Sequence, residues 1–306
     1  MIEIIATVES IEQARQLLEA GVDCLYFGED TFGLRLPHSF SREEQKTLTE
    51  LAHQYGKKVS IALNAIFHNS GIAKVPEYLT FLKRIGVDTI TSGDPGVVQI
   101  MKQDELFIPY RYDAQVVVTS SKQINFWANR RAVGAVVARE VPKESLEILA
   151  RDVIVPIEYL VYGATCIHQS KRPLLQNYFN FIKRTESVGR NRGFFLSEPD
   201  KPDTHYSVYE DDNGTHIFAN NDILLAQYLQ ELADMNVTQW KLEGIFSPGD
   251  NFVDIAKLFV QARNDIMAKN WSHEKALHLE ESVKALHPKT RGLDTGFYLF
   301  DPNIVK

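Results

Sequence analysis

Cysteine is nearly absent: Cys24 and Cys166 are the only two in 306 residues. Two thiols cannot build a disulfide framework, and their scarcity predicts a reduced, cytoplasmic setting. No run approaches the ~18 apolar residues of a membrane span. The opening MIEIIATVES puts no positive region ahead of an apolar stretch, so no secretory signal is expected. Positive charge is in short supply as well, with 33 Lys and Arg against 40 Asp and Glu and a net charge of −7. That balance excludes a protein that coats nucleic acid over its whole surface, while leaving room for a local basic patch. The GxGxxG, P-loop, GxSxG and HExxH patterns are all missing, so nucleotide-driven chemistry and the commonest hydrolase mechanisms have no support. Low-complexity sequence is missing too.

What is present is repetition. GVDCLYFGED (21–30) is echoed by GVDTITSGDP (86–95), by NVTQWKLEG (236–244) and by VGAVVARE (133–140). Each copy is a helix end, a short apolar strand, and a polar or acidic residue beside a loop. Repeating βα units of this kind make parallel sheets. Strands are expected near Ile4–Thr7, Cys24–Phe27, Val59–Leu63, Thr89–Thr91, Ile108–Tyr112, Ala135–Ala138, Glu158–Val161 and Gln239–Leu242. Between them, apolar residues recur at helical period over Ile11–Ala20, Ser41–Tyr55, Pro76–Ile85, Val97–Gln103, Lys122–Arg131 and Lys143–Ala150. Ser10 is a candidate N-cap, and Ser41 with Glu44 has the spacing of a capping box. Eight strands alternating with helices predict a (β/α)8 barrel of the TIM type, and a doubly wound open sheet is the alternative.

About sixty residues separate the seventh strand from a helix expected over Asp222–Met235, too many for a plain loop. They include a hairpin signal at Asn213-Gly214, between Val208–Tyr209 and His216–Phe218. The expected organisation is a barrel over 1–270, an insertion or lid over 163–221 within it, and a C-terminal helix and tail over 271–306. Phe252–Lys269 and a helix behind the Ser272 cap complete it.

In such a barrel, functional residues gather at the C-terminal strand ends. There the sequence offers Glu29, Asp30 and Arg35, Asn64 and His68, Asp94, Asp113 and Gln115, Arg139 and Glu140, Cys166 and His168, and Lys241 with Glu243. Cations mixed with carboxylates suit a pocket for a small anionic or polar ligand, since arginine grips a carboxylate bidentately. The same residues also suit ion pairs that merely hold the rim. Cys166 and His168, two apart on an extended strand, share a face as a nucleophile and base would. A packed thiol is the plainer reading of the same cysteine, and Cys24 falls inside an apolar strand. Lys183, Arg184, Arg190 and Arg192 form a basic stretch able to contact RNA phosphates or to serve solubility alone. Neither His205 nor His216 sits at metal-ligand spacing.

Residues 158–178, EYLVYGATCIHQSKRPLLQNY, resemble the signature of the collagenase-like peptidase U32 family: Glu, a hydrophobic pair, then Gly-Ala-hydrophobic-Cys, with a second Cys seven residues on. GLRL (33–36), NAIFHN (64–69), GDPG (93–96), ARE (138–140), KLEG (241–244) and TGFYL (295–299) resemble the same family. The Cys166–Arg172 run and the piece from Asp211 to Ile217 look like the shorter member of a pair found in Gram-positive bacteria. The resemblance implies oxygen-independent hydroxylation, of tRNA wobble uridine at C5 in the branch linked to prephenate. It implies a longer, cysteine-complete paralogue as partner, in a hetero-oligomer.

Several relatives hold an iron–sulfur cluster on four cysteines. Here the first position is Cys166, but the second aligns with Pro173, the third near Phe194 or Phe195 and the fourth near Leu224, so no cluster or other metal is expected in this chain. On this reading Arg139, Glu140, Glu243 and Cys166 are the catalytic candidates. Glu29, Arg35, Asn64, Asp94, Gln115, Lys241 and His168 bind the small anionic metabolite or nucleobase, and Lys183, Arg184, Arg190 and Arg192 hold tRNA. The alternatives are a U32-type peptidase working through Cys166 and His168 or the rim carboxylates, and a non-catalytic scaffold.

Overall fold

The chain lays down seven short strands with helices between them: β1 (Glu3–Thr7), β2 (Cys24–Phe27), β3 (Lys58–Ala62), β4 (Thr89–Ser92), β5 (Tyr110–Asp113), β6 (Ala132–Val136) and β7 (Ile157–Gly163). The structure, a computed structural model, describes residues 1–113 and 119–301, so Gln115 lies outside the described residues. After β7 come β8 (Cys166–Ser170), β9 (Phe195–Glu198), β10 (Lys201–Asp211) and β11 (Gly214–Phe218), which form their own antiparallel sheet in the order β8-β11-β10-β9. The chain returns on β12 (Asn221–Leu224), and β13 (Gln239–Glu243) then pairs in parallel with both β7 and β1. That pairing closes an eight-stranded parallel barrel and rules out the open sheet. A short β14 (Gly292–Asp294) pairs with β12 behind the long helices Asp250–Met267 and His273–Leu286.

The strands alternate between two environments. Ile4, Ala6, Leu25, Phe27, Trp240 and Leu242 point outward and merge with the buried faces of the helices into one apolar layer. The helices start where the sequence caps them: Ser10 accepts from the Gln13 N–H, and Ser41 and Glu44 form a reciprocal capping box. Inside the barrel the apolar set is small, namely Ile5, Cys24, Tyr26, Leu36 and Ala62. Apart from Val136 and Leu160, which line the interior recess, many of the remaining inward positions are polar. They include Glu3, Arg111, Glu158, Gln239, Lys241 and Glu243, where barrel cores are ordinarily filled by branched apolar residues.

Two local expectations change. The segment expected as a helix over Asp222–Met235 begins as strand β12, which pairs antiparallel with the end of β7 (Ile223 with Gly163, Leu224 with Tyr162). Asp222 is buried under the Arg291 guanidinium at 2.6 Å, and the α-helix starts only at Leu229. In the hairpin, Asp211 pairs with Gly214, so the two loop residues are Asp212 and Asn213 rather than Asn213 and Gly214. Gly214 takes the positive φ of 98°.

The insertion is tied down rather than free-standing. Asn213 Nδ2 donates to the carbonyls of Asp30 (2.7 Å) and Gly33 (3.2 Å), and Arg190 donates to those of Leu36 and Pro37. Glu210 accepts from the backbone N–H groups of Leu175 (2.6 Å) and Gln176 (3.2 Å), which caps the helix Leu174–Phe181. At the stem, Gly163 has φ +120°, and a side chain there would begin 2.2 Å from the Glu243 carbonyl oxygen. Only glycine lets β7 close against β13 at that point. Among the described residues no helix is long and apolar enough to cross a membrane.

Candidate functional site

At the N-terminal floor of the barrel, Arg111 is fully engaged. Its guanidinium donates to Gln239 Oε1 (3.3 Å), Thr89 Oγ1 (3.1 Å) and Glu3 Oε2 (3.2 Å), with Glu158 at 3.9 Å. One layer up, satisfaction ends. Lys241 Nζ lies 3.9 Å from Glu158 and 3.2 Å from the centre of the Tyr26 ring, a cation–π approach, yet it makes no hydrogen bond. Glu158 Oε2 and Glu243 Oε1 are likewise buried and unpartnered. Burial pushes the Lys241 ammonium down, against the pull of Glu158 and Glu243. Burial likewise pushes the Glu243 carboxyl up, against the pull of Lys241 and Arg139. These atoms surround a recess of about 30 Å³, room for about two waters or the tip of a ligand.

The recess opens into a mouth of about 720 Å³, the size of a small-molecule or nucleobase site. Arg35, Asn64, Asp94, Asp113, Arg139, Glu140, Cys166 and His168 line it. Asn64 Oδ1 accepts from the Leu34 N–H (2.9 Å) and its Nδ2 donates to Asp113 (2.7 Å), so it sets the loop that carries Arg35. Arg35 sits at φ 55°, the left-handed region that an arginine seldom occupies, and donates to Gln169 Oε1 on the insertion (2.9 Å). Arg139 donates to the Ala164 carbonyl at 2.7 Å, and burial followed by the charge of Arg35 holds its guanidinium below the ordinary arginine value. Two guanidinium groups beside carboxylates that each keep one buried oxygen without a hydrogen bond form a site able to orient a ligand bearing both an anionic and a donor group.

The structure gathers most of the candidates and leaves out some. Glu29 faces away from the mouth, toward Gln45 Nε2 (3.2 Å) and Arg42 (3.9 Å) on the helix Arg42–Gln54. Asp94 lines the mouth, but its carboxylate caps the helix Pro95–Ile100 through Gly96 (2.6 Å) and Val97 (3.4 Å). In the basic stretch, Arg190 points inward to the loop carbonyls and Arg192 pairs with Glu186 (3.0 Å), while Lys183 and Arg184 stay exposed. The pairing of Cys166 with the His168 ring does not form: the thiol donates to the His168 carbonyl (3.2 Å), and His168 itself is exposed. The imidazole that the thiol meets is His216, buried on β11, whose Nε2 lies 2.9 Å from Asp211 Oδ1. His216 and Asp211, absent from the expected site, lie diagonally across the hairpin that the Asp-Asn-Gly turn sets up.

The donor set does not fit an iron–sulfur cluster. Pro173, Phe194, Phe195 and Leu224 carry no ligating atom, and among the described residues no group of three or more His, Cys, Asp or Glu is arranged to hold a metal ion.

The sequence pattern of peptidase family U32 matches residues 9–305. The chain belongs to peptidase family U32. Within it, the chain is similar to the tRNA hydroxylation protein P2 of Bacillus subtilis, 33% identical over 301 residues that cover 97% of each chain. The tRNA hydroxylation protein P1 of the same organism is 23% identical, over 79% of this chain and 58% of that protein. The 23S rRNA 5-hydroxycytidine C2501 synthase of Escherichia coli is 25% identical, over 79% of this chain and 36% of its own. Among solved structures, the U32 peptidase Mk0906 shares the fold, with a TM-score of 0.51 and 14% identity over 79% of this chain and 92% of that one.

Proposed function

We propose that this U32 member is a subunit of a tRNA-hydroxylating system that modifies wobble uridine at C5. The observation that carries the reading is the end-to-end match to a tRNA hydroxylation protein, 97% of both chains at 33% identity. Names of RNA hydroxylation recur among relatives as distant as a 5-hydroxycytidine synthase. The mouth supports the reading in size and chemistry: it admits one nucleobase, and Arg35 with Arg139 suits a small carboxylate such as prephenate as co-substrate. Glu140 and the Lys241–Glu243 recess supply donors and acceptors for a base edge, with Asn64 and Asp113 fixing the wall beside them. Lys183 and Arg184, exposed on the insertion, would meet phosphates of the tRNA.

Oxidation without oxygen needs a redox centre, and this chain's residues do not fit a cluster. The longer paralogue, a relative of the P1 type, would supply that chemistry in a hetero-oligomer. Deleting the gene and measuring tRNA nucleosides by mass spectrometry tests the function without presupposing a site: loss of 5-hydroxyuridine derivatives is expected, and unchanged levels would sink the proposal. Complementing the deletion with Arg139→Ala then tests the mouth. A fall of roughly thirty-fold or more is expected, since truncating a buried charged anchor costs about 2–5 kcal/mol of binding. Full complementation removes Arg139 from the site.

A further inference from the structure

His216 is the group that the binding site does not use. Its side chain is fully buried, with no exposed surface, in an insertion otherwise rich in exposed residues. Asp211 holds Nε2 at 2.9 Å, and the Tyr209 ring lies against the imidazole with centroids 5.0 Å apart. A carboxylate accepts, so Nε2 carries the proton and Nδ1 is left as the acceptor. That Nδ1 is buried and has no hydrogen-bond partner, and Cys166 stands on the paired strand β8 opposite Phe218, two residues from His216, its thiol donating to the His168 carbonyl at 3.2 Å. Cys166 in turn lines the mouth, with the guanidinium groups of Arg35 and Arg139 acting on it from the other side. A thiol at the cavity wall, a ring with a free acceptor on the paired strand, and a carboxylate that fixes the tautomer thus stand on neighbouring strands, and turning the thiol from the His168 carbonyl to Nδ1 joins them.

We infer that Cys166 is a nucleophilic catalytic residue with His216 as its base and Asp211 as the positioning residue, and that its target is C6 of a pyrimidine ring seated in the mouth. The inference rests on the reading of the mouth as a nucleobase site. The step is self-balanced. His216 Nδ1 takes the thiol proton, and sulfur bonds to C6. The C5–C6 π pair moves onto C5 and O4, and C5 takes the proton back from His216. Reversal expels the thiolate and returns a proton from C5. The consequence is an electron-rich C5, the carbon that 5-hydroxylation must functionalise, made without any oxidant. Oxygen transfer is left to the rest of the system.

The electrostatics agree with this geometry. Burial pushes the Cys166 thiol up, but the neighbouring His216 and the charges of Arg35 and Arg139 outweigh it and leave the thiol below its ordinary value. Burial pushes His216 down, and its hydrogen bond to Asp211, with the Cys166 thiol nearby, more than restores it. Cys24, enclosed in the barrel, shows the opposite case: burial pushes its thiol up to about 12.

Two measurements on the full-length protein test the inference. The first is iodoacetamide alkylation across pH, read by peptide mass spectrometry, with Cys24 as internal control because it reacts only if the fold opens. Cys166 is expected to react with a midpoint below the ~8.5 of a free cysteine, and His216→Gln to slow it about tenfold at pH 7 while Cys24 stays protected. Reaction no faster than a free thiol, unchanged by His216→Gln, overturns the arrangement. The second is exchange of the C5 hydrogen for deuterium in a uridine-containing anticodon stem-loop RNA, in complex isolated from cells carrying either wild-type or Cys166→Ala protein. Exchange at least tenfold above background that Cys166→Ala abolishes supports the step. If Cys166→Ala preserves both C5 exchange and cellular 5-hydroxyuridine, the nucleophile is refuted while the hydroxylation role stands. That role fails separately, through unchanged nucleosides in the gene deletion.

Discussion

The floor and the mouth of this barrel are built from the same residue types, a few ångströms apart, and they treat charge differently. On the floor, Arg111 meets Glu3, Thr89 and Gln239, and Gln239 itself donates to Glu3 at 2.8 Å, so the hydrogen-bonding groups close on one another. In the layer above, Lys241, Glu158 and Glu243 each present a buried atom with no partner. A satisfied buried network fixes a structure, whereas an unsatisfied one carries a desolvation penalty unless something arrives to complete it. The floor is therefore scaffold. The mouth is where the fold accepts a penalty in exchange for a place to bind.

The contrast is broken most sharply by Arg111→Met. Removing the guanidinium strands Glu3 and Glu158 in the barrel interior, and a loss of about 3–5 kcal/mol is expected in urea unfolding. A loss under about 1 kcal/mol would show that the floor is no more structural than the mouth.

Glu243→Gln probes the other side, with opposite sign. Because burial raises the Glu243 carboxyl in the folded state, its contribution is most favourable below the ordinary value of 4.5 and is lost as pH rises through the folded value. At pH 8 the wild type carries a buried carboxylate whose Oε1 has no hydrogen-bond partner, so Glu243→Gln should be more stable by about 1 kcal/mol. That gap should close as pH falls toward the ordinary carboxylate range, and urea titrations at several pH values check both the sign and the trend.

The smallest effect on stability belongs to Lys183→Ala with Arg184→Ala, which should change it by less than about 0.5 kcal/mol. In a filter-binding titration the pair should instead weaken tRNA binding and flatten its dependence on log salt by about one to two units. An unaltered slope would move RNA contact elsewhere.

The barrel was legible because each of its signals is local. Alternating apolar strands, Ser10 and Ser41 as caps, and the echoed Gly-Val-Asp starts each depend on a few adjacent residues, and all eight strands overlap their expected places, though the fifth (Tyr110–Asp113) starts later and the sixth (Ala132–Val136) earlier than the pattern puts them. The polar interior was written just as locally, in YRYD at β5 and QWKLE at β13, where every second residue is polar in strands enclosed on both faces. Reading one functional residue per strand end passes over that alternation, and so passes over Arg111 and Glu158. Glu29 shows the converse limit: its place after a strand says nothing of which way the loop turns it, and it turns to Gln45. Nothing in the local sequence around His216 marks it, since it has no metal-ligand spacing to a second histidine or cysteine. Hairpin register, set by Asp211 pairing with Gly214, is what places it beside Asp211, and its meeting with Cys166 depends on a ladder irregularity between Ile217 and Phe218 that no local pattern encodes.

One feature of the stem reaches beyond this site. The insertion leaves the barrel at Gly163 and re-enters on β12, where Ile223 pairs with Gly163 itself. Its two ends are neighbours in a ladder, so the barrel experiences the insertion as a closed loop whose closure entropy grows only slowly with its length. The excursion can therefore be lengthened, shortened or exchanged at little expense to barrel folding. A barrel with such a stem is a socket, and what is plugged into it decides which wall the mouth acquires.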